Sequence, residues 1–398
     1  MNTQNKGLRL LIRSAILQRP EKLPEDFSLA TVMRMITAQQ ITSLVLQGAF
    51  LCGIPAGSSE MQTLLEHSCL LYTHSSRQIA EVRQLCAAFD EQKIDYLLLK
   101  GCNLKELYPE PHMREMADAD VLIRVNQYDK IKPIMKRLDY VCGDESDHEL
   151  HWGKPTLKLE LHKRLIPANN RRYFNYSQSG WKRAVRVSDD RTQYAFSKED
   201  ELIFYVAHFA KHYRDGGIGA KHLTDLWLFR KNNPELKLGY VMQELKLMGL
   251  DEFYLHLCET ADVWFRDGKE TEITELITDT VFASGAFGNH ESQYIASAAR
   301  LTDASGSSKR GRSKRIFNLF FPPFATMKRM YPILKKIPIL LPVMWVVRWV
   351  HALICKWRVV QRRRKEIRMV TPEIIDGYLQ ALKKVGLSFD ENTELRQD

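Results

Sequence analysis

The sequence predicts an α+β fold, in which a small mixed sheet is embedded between helical N- and C-terminal regions. Short runs with strand periodicity fall between residues 94 and 162: 96–99 and 121–123 are apolar, and 157–162 alternates apolar with polar side chains. Segments on either side, such as 27–50, carry apolar residues at helical spacing instead. Strands confined to one stretch between helical ones are typical of the α+β class.

Length and composition indicate a globular chain with more than one unit. The chain has 398 residues, of which 44% are hydrophobic and 27% charged, enough for two or three domain-sized cores. We expect a helical region over 1–93, a sheet-containing core over 94–190, a helical arm over 191–300, and a basic linker with amphipathic helices over 301–398. The seven cysteines form no Cys-x-x-Cys pair and no secretory signal is visible, which favours a reducing cytoplasm and argues against a disulfide framework.

The first candidate site is the turn that ends the strand at 96–99. This strand runs directly into Lys100-Gly101-Cys102, and a short helix over about 103–108 is expected to follow. A helix N-terminus behind a glycine presents backbone N–H groups to an anion, and Lys100 adds a positive charge beside it. The turn therefore predicts an anion site.

The second candidate site is a group of carboxylates on two strands. Alternate side chains of a strand share a face, so Asp118 and Asp120 point the same way, as do Glu160 and His162. If the two strands are neighbours, Glu160 joins the aspartates. Adjacent carboxylates repel each other unless a cation lies between them, and Mg²⁺ takes carboxylates together with substrate phosphates. His162 is then a substrate contact, or a half-exposed strand histidine.

These residues occur in an order that resembles a known enzyme superfamily. Lys100-Gly101, Arg114, Asp118-x-Asp120 and Glu160-x-His162 resemble the nucleotidyltransferases of the DNA polymerase β superfamily, and most closely an uncharacterised bacterial branch. The pattern is more distantly similar to the nucleotidyltransferase toxins of toxin–antitoxin systems. The resemblance implies a polymerase β-like core that moves a nucleoside monophosphate from an NTP to an acceptor, with release of pyrophosphate.

The resemblance also implies how the carboxylates act. Asp118 and Asp120 would hold Mg²⁺ (or Mn²⁺) ions that bridge the triphosphate and the attacking oxygen. Glu160 would complete the second metal site or act as the general base.

The phosphates of the NTP would be bound at the turn. The resemblance assigns them to Lys100, to the backbone of Gly101 and Cys102, and to Arg114. One residue departs from the superfamily pattern, which has Gly-Ser at this turn: Cys102 offers a weaker hydrogen-bond donor than serine.

The helical arm carries three further candidates. His208 and His212 are one helical turn apart, and Asp225 lies on the helix that follows the glycines at 216–219. In the bacterial branch such residues would position the substrate base. Alternatively, they brace the two helices through a His–Asp bridge.

Positive charge is concentrated near the C-terminus. The chain carries +10, whereas 308–368 holds 17 Lys/Arg and one acidic residue, or +16, so the remainder carries 10 − 16, or −6. Within this region 337–354 is apolar and long enough to be considered as a membrane span, but Arg348 and the basic flanks argue against one. Three interpretations remain: a helix packed on the core, a helix on an acidic membrane surface, or a nucleic-acid contact. The polar stretch 302–313 is expected to be a flexible linker.

Two other functions stay open. One is a toxin-like enzyme that modifies tRNA or another RNA and uses the basic region as its electrostatic footprint. The other is a non-catalytic nucleotide-binding scaffold at the membrane surface. We expect a cytoplasmic protein, peripheral to the inner membrane face if 308–368 docks there. The motifs do not specify the acceptor, which is a small molecule, a protein or an RNA.

Overall fold

The protein is described here from a computed structural model. The structure describes residues 2–146, 148–166, 173, 176, 180–286, 288, 290–305, 307–355, 361 and 370–389. Within these residues the fold is α+β, as predicted, with one seven-stranded mixed sheet among many helices.

The sheet has the strand order β3-β4-β5-β2-β1-β7-β6. The strands are β1 Tyr96–Leu99, β2 Asp118–Ile123, β3 Val141–Glu145, β4 Glu149–Lys154, β5 Leu157–His162, β6 Val185–Arg186 and β7 Gln193–Ala195. β2 pairs in parallel with β5, and β1 in parallel with β7, while the other pairs are antiparallel. The alternation at 148–162 predicts a hairpin, and β4 with β5 confirms it.

Helices precede and follow the sheet. Before β2 they are α1 Thr3–Leu17, α2 Leu29–Gln39, α3 Thr42–Leu51, α4 Ser59–Glu91 and α5 Gly101–Leu104. After β2 they are α6 Tyr128–Arg137, α7 Gly180–Arg183, α8 Lys198–Arg214, α9 Ala220–Asn232, α10 Leu238–Leu247, α11 Asp251–Phe265, α12 Glu272–Ser284, α13 His290–Ser305, α14 Ser308–Phe320, α15 Phe324–Met330, α16 Leu341–Cys355 and α17 Pro372–Lys384.

The sheet is covered on both faces, and this decides where its polar residues lie. On one face, alternate residues such as Val121 and Leu159 pack with Phe89 of α4 and Ile134 of α6 in a separate apolar cluster. On the other face, Leu122 joins the main core, to which the helices α1–α3, α8–α12 and α17 all contribute. Because the N-terminal helices and the helical arm share this core, the four-domain division remains a prediction.

Two serines cap helices. The side chain of Ser197 accepts a hydrogen bond from Asp200 N at the start of α8, as its sequence context predicts. At the start of α4 the sequence predicts Ser59 as the cap, but Ser58 caps the helix and accepts from Met61 N. The long α4 leads the chain to β1, and α8 follows the sheet and contributes to the site described below.

The stretch 302–313 is not a flexible linker. It is occupied by the end of α13 and the start of α14, which pack against each other. Gly311 is buried, and a Cβ on it would lie 2.1 Å from Thr302 Oγ1 and 2.6 Å from Thr302 Cα. The glycine thus permits close helix packing, whereas the sequence pattern suggested flexibility.

The apolar run at 337–354 forms one short 3₁₀ turn, Pro338–Leu340, and then α16. The interpretation that this helix packs on the core is wrong, because Val346, Val350 and Ile354 remain 51%, 50% and 74% exposed. Among the residues that the structure describes, no helix combines the length and apolar character needed to cross a membrane. Trp357 and the basic cluster 362–365, which belong to the predicted docking region, lie outside the described residues.

Candidate active site

The candidate carboxylates are brought together by the pairing of β2 with β5. In this parallel register Asp120 lies opposite Glu160, Asp118 opposite Lys158, and Leu122 opposite His162. The predicted neighbouring strands are therefore confirmed. Asp118, Asp120 and Glu160 line one cavity of about 490 Å³ on the sheet face that carries Leu122.

Lys100 reaches this group from the end of β1, the other neighbour of β2. Leu99 pairs with Asp120 across the two strands, and Lys100 Nζ donates a hydrogen bond to Asp120 Oδ1 over 2.8 Å. The backbone of Lys100 has φ 45° and ψ −113°, a combination that residues other than glycine rarely adopt. Burial lowers the pKa of Lys100, but Asp120 more than offsets this effect, so the lysine stays protonated.

His162 contacts the same carboxylate oxygen. Its Nε2 lies 2.8 Å from Asp120 Oδ1 and 3.7 Å from Glu160 Oε2. Burial lowers the pKa of His162, so the ring is neutral and Nε2–H donates to the ionised Asp120. Its Nδ1 is buried and has no hydrogen-bond partner among the described residues.

The three carboxylates differ in how their charge is compensated. Burial raises the pKa of Asp120, yet Lys100 and His162 together lower it below its usual range. Burial and the neighbouring Asp120 raise the pKa of Asp118, and burial with Asp118 and Asp120 raises that of Glu160 to about 8. The lysines near Asp118 and Glu160 therefore compensate these two carboxylates only in part, which favours binding of a cation.

Two sets of ligand atoms are close enough to hold a metal ion. Within each set, Asp120, Glu160 and His162, or Glu149, His151 and Glu160, the ligand atoms lie within 4.8 Å of one another. Glu160 belongs to both sets, whereas Asp118 belongs to neither although it lines the same cavity. Oxygen ligands suit Mg²⁺, and a set that also includes an imidazole suits Mn²⁺.

Comparison with family models identifies the family of this chain. Residues 25–266 match the model of a family described as uncharacterised nucleotidyltransferases, and these 242 residues are more than half of the chain. The protein belongs to this nucleotidyltransferase family. The match confirms the predicted resemblance.

Two further comparisons add little. No curated protein matches the chain. The solution structure of the antibiotic-resistance factor ANT(2'')-Ia is similar over 44% of this chain and 90% of that one, with 14% identity and a TM-score of 0.32. Similarity at that level bears on neither fold nor function.

In this nucleotidyltransferase, Arg114 is held by a buried acid. Its Nε and Nη2 donate to the two carboxylate oxygens of Asp225 over 2.8 and 2.7 Å, and the Tyr108 hydroxyl donates to the same acid over 2.8 Å. Asp225 therefore braces α9 against the loop before β2, and its partners are Arg114 and Tyr108 instead of a histidine. The remaining Arg114 Nη1 would lie 2.9 Å from a Cβ on Gly101, which explains why a glycine suits that turn.

The turn itself differs from its predicted form. The helix α5 begins at Gly101 and has only four residues, so it offers a weaker N-terminal dipole than the helix expected over 103–108. Gly101 lines the cavity, whereas Cys102 packs against the apolar cluster on the opposite face of the sheet. Burial raises the pKa of Cys102 to about 12, so its thiol stays neutral.

Three histidines form part of the helical wall of the cavity. The ring centroids of His208 and His212 are 4.3 Å apart, and those of His212 and His222 are 6.3 Å apart. Burial lowers the pKa of all three well below its usual value, so they are neutral. Neutral imidazoles can donate and accept hydrogen bonds to an uncharged group such as a nucleobase.

Sequence reasoning missed five charged residues that line the cavity: Glu115, Glu149, Lys211, Asp215 and Lys221. Burial, followed by the charge of Arg114, lowers the pKa of Lys221 to about 7, and its Nζ donates to Gln40 Oε1 over 3.0 Å. Burial and the nearby Lys100 also lower the pKa of Lys211. Glu149 had a detectable signal, since it alternates with His151 on the strand before β5. The two lysines carried none, because they lie on helices outside the motif.

Proposed function

We propose that this protein transfers a nucleoside monophosphate from an NTP to an acceptor hydroxyl or phosphate, releases pyrophosphate, and requires Mg²⁺ or Mn²⁺. The register that sets Asp120 opposite Glu160, with Asp118 in the same cavity, is the observation that supports the proposal most. A group of carboxylates with incomplete charge compensation, in a cavity that also holds lysines, suits a substrate that carries both metal and phosphate.

The donor atoms fit a divalent ion. Asp120, Glu160 and His162 would hold it, with Asp118 as a further carboxylate in the cavity. The raised pKa of Glu160 is the electrostatic reason, since two neighbouring aspartates disfavour its ionisation until positive charge is supplied. When bound, such an ion neutralises negative charge on the triphosphate and on the attacking oxygen.

Lysine side chains of the protein itself are available to bind the triphosphate. Lys100, Lys211 and Lys221 line the cavity, and we assign them to the phosphates. The pKa of Lys211 is lowered, and that of Lys221 is lowered to about 7. A phosphate beside Lys221 would favour its charged form, so binding is expected to take up a proton there near neutral pH. Arg114 positions Gly101 and the turn, because two of its nitrogens are committed to Asp225.

Glu160 and the histidines complete the assignment. A carboxyl with a pKa near 8 is suited to accept the proton of the attacking hydroxyl at neutral pH, so Glu160 serves as general base where it is not a metal ligand. His208, His212 and His222 are neutral and face the cavity, which suits contacts to the base or to the acceptor.

The test is a labelling screen. Purified protein is incubated with each of the four labelled NTPs, with Mg²⁺ or Mn²⁺ and cell extract, and the labelled product is identified. Asp120→Asn is the inactive variant, and Asp129→Asn, at a 94% exposed side chain that does not line the cavity, is its matched control.

Each outcome has a separate meaning. Label on a small molecule or protein supports the proposal, and label on tRNA or another RNA favours the toxin-like alternative. NTP binding without transfer favours the non-catalytic scaffold. An absence of NTP binding at any metal concentration would refute the proposal.

A further inference from the structure

Residues 308–354 present a large apolar surface to solvent. Of the 25 large hydrophobic side chains that are exposed among the described residues, 13 lie in this segment, which is about an eighth of the chain. Ile339 is 84% exposed and Ile354 is 74% exposed. Scattered exposed hydrophobics need no explanation, but a concentration of this kind marks an interaction site.

The helix α16 turns its apolar face to solvent, which is the reverse of an ordinary surface helix. Val343, Val346, Val347 and Val350 follow helical spacing along one face, and all four are exposed. Helices on the surface of globular proteins usually turn such a face to the core.

The polar atoms of α16 point inwards instead. Trp345 Nε1 donates to the carbonyl oxygen of Pro322, Trp349 Nε1 to that of Phe320, and Arg348 Nη1 to that of Leu319. These carbonyls lie at or just beyond the C-terminal end of α14, where acceptors lack helical partners and a cation is favourable. These three contacts fix the rotation of α16, so burying its valines would break them.

The same segment is strongly basic. It contains ten Lys/Arg and no Asp or Glu. Lys309, Arg310, Lys314, Lys335 and Lys336 are all exposed. The apolar surface is therefore accompanied by positive charge that no acidic residue within the segment offsets.

We propose that 308–354 docks the protein on an anionic lipid bilayer, with the valine face of α16 in the interfacial region and the lysines and arginines at the headgroups. An apolar face bordered by cations matches the two layers of such a surface. A nucleic acid would satisfy the charge but not the aliphatic side chains. A second copy would bring ten positive charges against ten. The proposal is independent of the transfer reaction, since none of these residues lines the cavity.

The experiment is co-sedimentation of the full-length chain with vesicles. One set contains phosphatidylcholine alone, and the other contains phosphatidylcholine with phosphatidylserine. The apolar variant is Val346→Glu/Val350→Glu, and its matched controls are Leu70→Glu and Leu247→Glu, which replace residues that are 70% and 73% exposed outside the segment. The charge variant is Lys335→Glu/Lys336→Glu, at two exposed positions; an unchanged Tm is the check that it folds.

We expect wild type and both controls to sediment with the anionic vesicles and at least about tenfold less with the neutral ones, and to be released by high salt. Both double variants should lose at least about tenfold in partitioning, a difference that corresponds to 1.4 kcal/mol. NTP binding by every variant should equal that of wild type, which separates this proposal from the proposed function.

Four results would each overturn the proposal. Wild type fails to sediment with anionic vesicles, or the charge variant sediments as well as wild type. Light scattering shows a dimer that Val346→Glu/Val350→Glu converts to a monomer without any vesicle binding. Salt-sensitive RNA binding is lost in the charge variant while no vesicle binding is observed.

Discussion

Replacing Glu160 by Gln is expected to stabilise the metal-free protein and to abolish its stabilisation by divalent ions. Burial and the carboxylates of Asp118 and Asp120 raise the pKa of Glu160 from 4.5 to about 8 in the folded chain. A group whose pKa is raised on folding contributes stability that is fully present below pH 4.5 and is lost as the pH rises through 8. Because Gln does not ionise, the variant escapes this loss.

The magnitude follows from the pKa. At about 1.36 kcal/mol for each tenfold change, the difference between 4.5 and 8 corresponds to about 5 kcal/mol above pH 8. The Glu160 side chain is 23% exposed, and solvent screening reduces the gain to about 2–4 kcal/mol. With an unfolding entropy of about 2.1 cal/mol/K per residue, 398 residues give a rise of about 2–5 °C in Tm.

The assay is thermal unfolding between about pH 5 and pH 9, with and without Mg²⁺ or Mn²⁺. Glu149→Gln on the adjacent strand is the comparison for the pH dependence in the absence of metal, because its pKa shifts in the opposite direction. Burial raises the pKa of Glu149, but the His148 hydrogen bond outweighs this and lowers it to about 2. Its contribution is present above pH 4.5 and is lost as the pH falls through 2, so Glu149→Gln should destabilise the protein at neutral pH.

Two results would refute the reasoning about Glu160. One is a Tm of the Glu160→Gln variant that depends on pH in the same way as the Tm of wild type. The other is a metal-induced rise in Tm that the variant retains in full.

Three further predictions test other parts of the structure. Asp118→Asn and Asp120→Asn should each abolish transfer, but only Asp120→Asn should lower Tm, because Lys100 and His162 lose the negative charge of their shared acceptor; near wild-type transfer by either variant contradicts the site. Asp225→Asn leaves Arg114 buried without its counter-charge and should cost about 3–5 kcal/mol in chemical denaturation. Its control Asp267→Asn, at a 96% exposed partner of Arg13, should cost under about 1 kcal/mol, and equal losses would argue against the brace. Gly311→Ala forces α14 away from α13 and should cost about 1–3 kcal/mol of stability. Its control Gly377→Ala on α17, with open space around the new Cβ, should be neutral or stabilising by up to about 1 kcal/mol. Equal melting curves for the two variants would contradict the packing role of Gly311.

The sheet and its carboxylates were predictable because their signals are local. Alternation of apolar and polar residues marks β2 and β5, and within one strand it decides that Asp118 and Asp120 share a face. The hairpin of β4 and β5 is also a short-range feature. What the sequence motif added was the expectation that the two strands are neighbours.

Residues whose role depends on distant partners could not be assigned in this way. Arg114 was assigned to phosphate because of its place in the motif, but its acid partner Asp225 lies 111 residues later. Lys221 enters the cavity from the start of α9, where no pattern distinguishes it from a surface lysine. At Gly311 the same residue type serves a flexible linker or a close helix contact, and only the position of Thr302 decides between them.

The apolar run at 337–354 illustrates the same limit for orientation. Its composition predicts a helix, and its spacing defines an apolar face. Which face turns outwards depends on the carbonyl oxygens at 319–322 that Trp345, Arg348 and Trp349 contact.

The parallel pairing of β2 with β5 also has a kinetic consequence. It joins residues about 40 positions apart, whereas the β4–β5 hairpin closes locally, so the carboxylates meet only after a costly chain closure. We therefore expect the repulsion between Asp120 and Glu160 to arise late in folding, after the rate-limiting barrier. An ion that relieves this repulsion then stabilises the folded state and not the transition state for folding. Divalent ions should accordingly slow unfolding in stopped-flow measurements and leave the refolding rate unchanged; faster refolding would instead place this pairing in the folding nucleus.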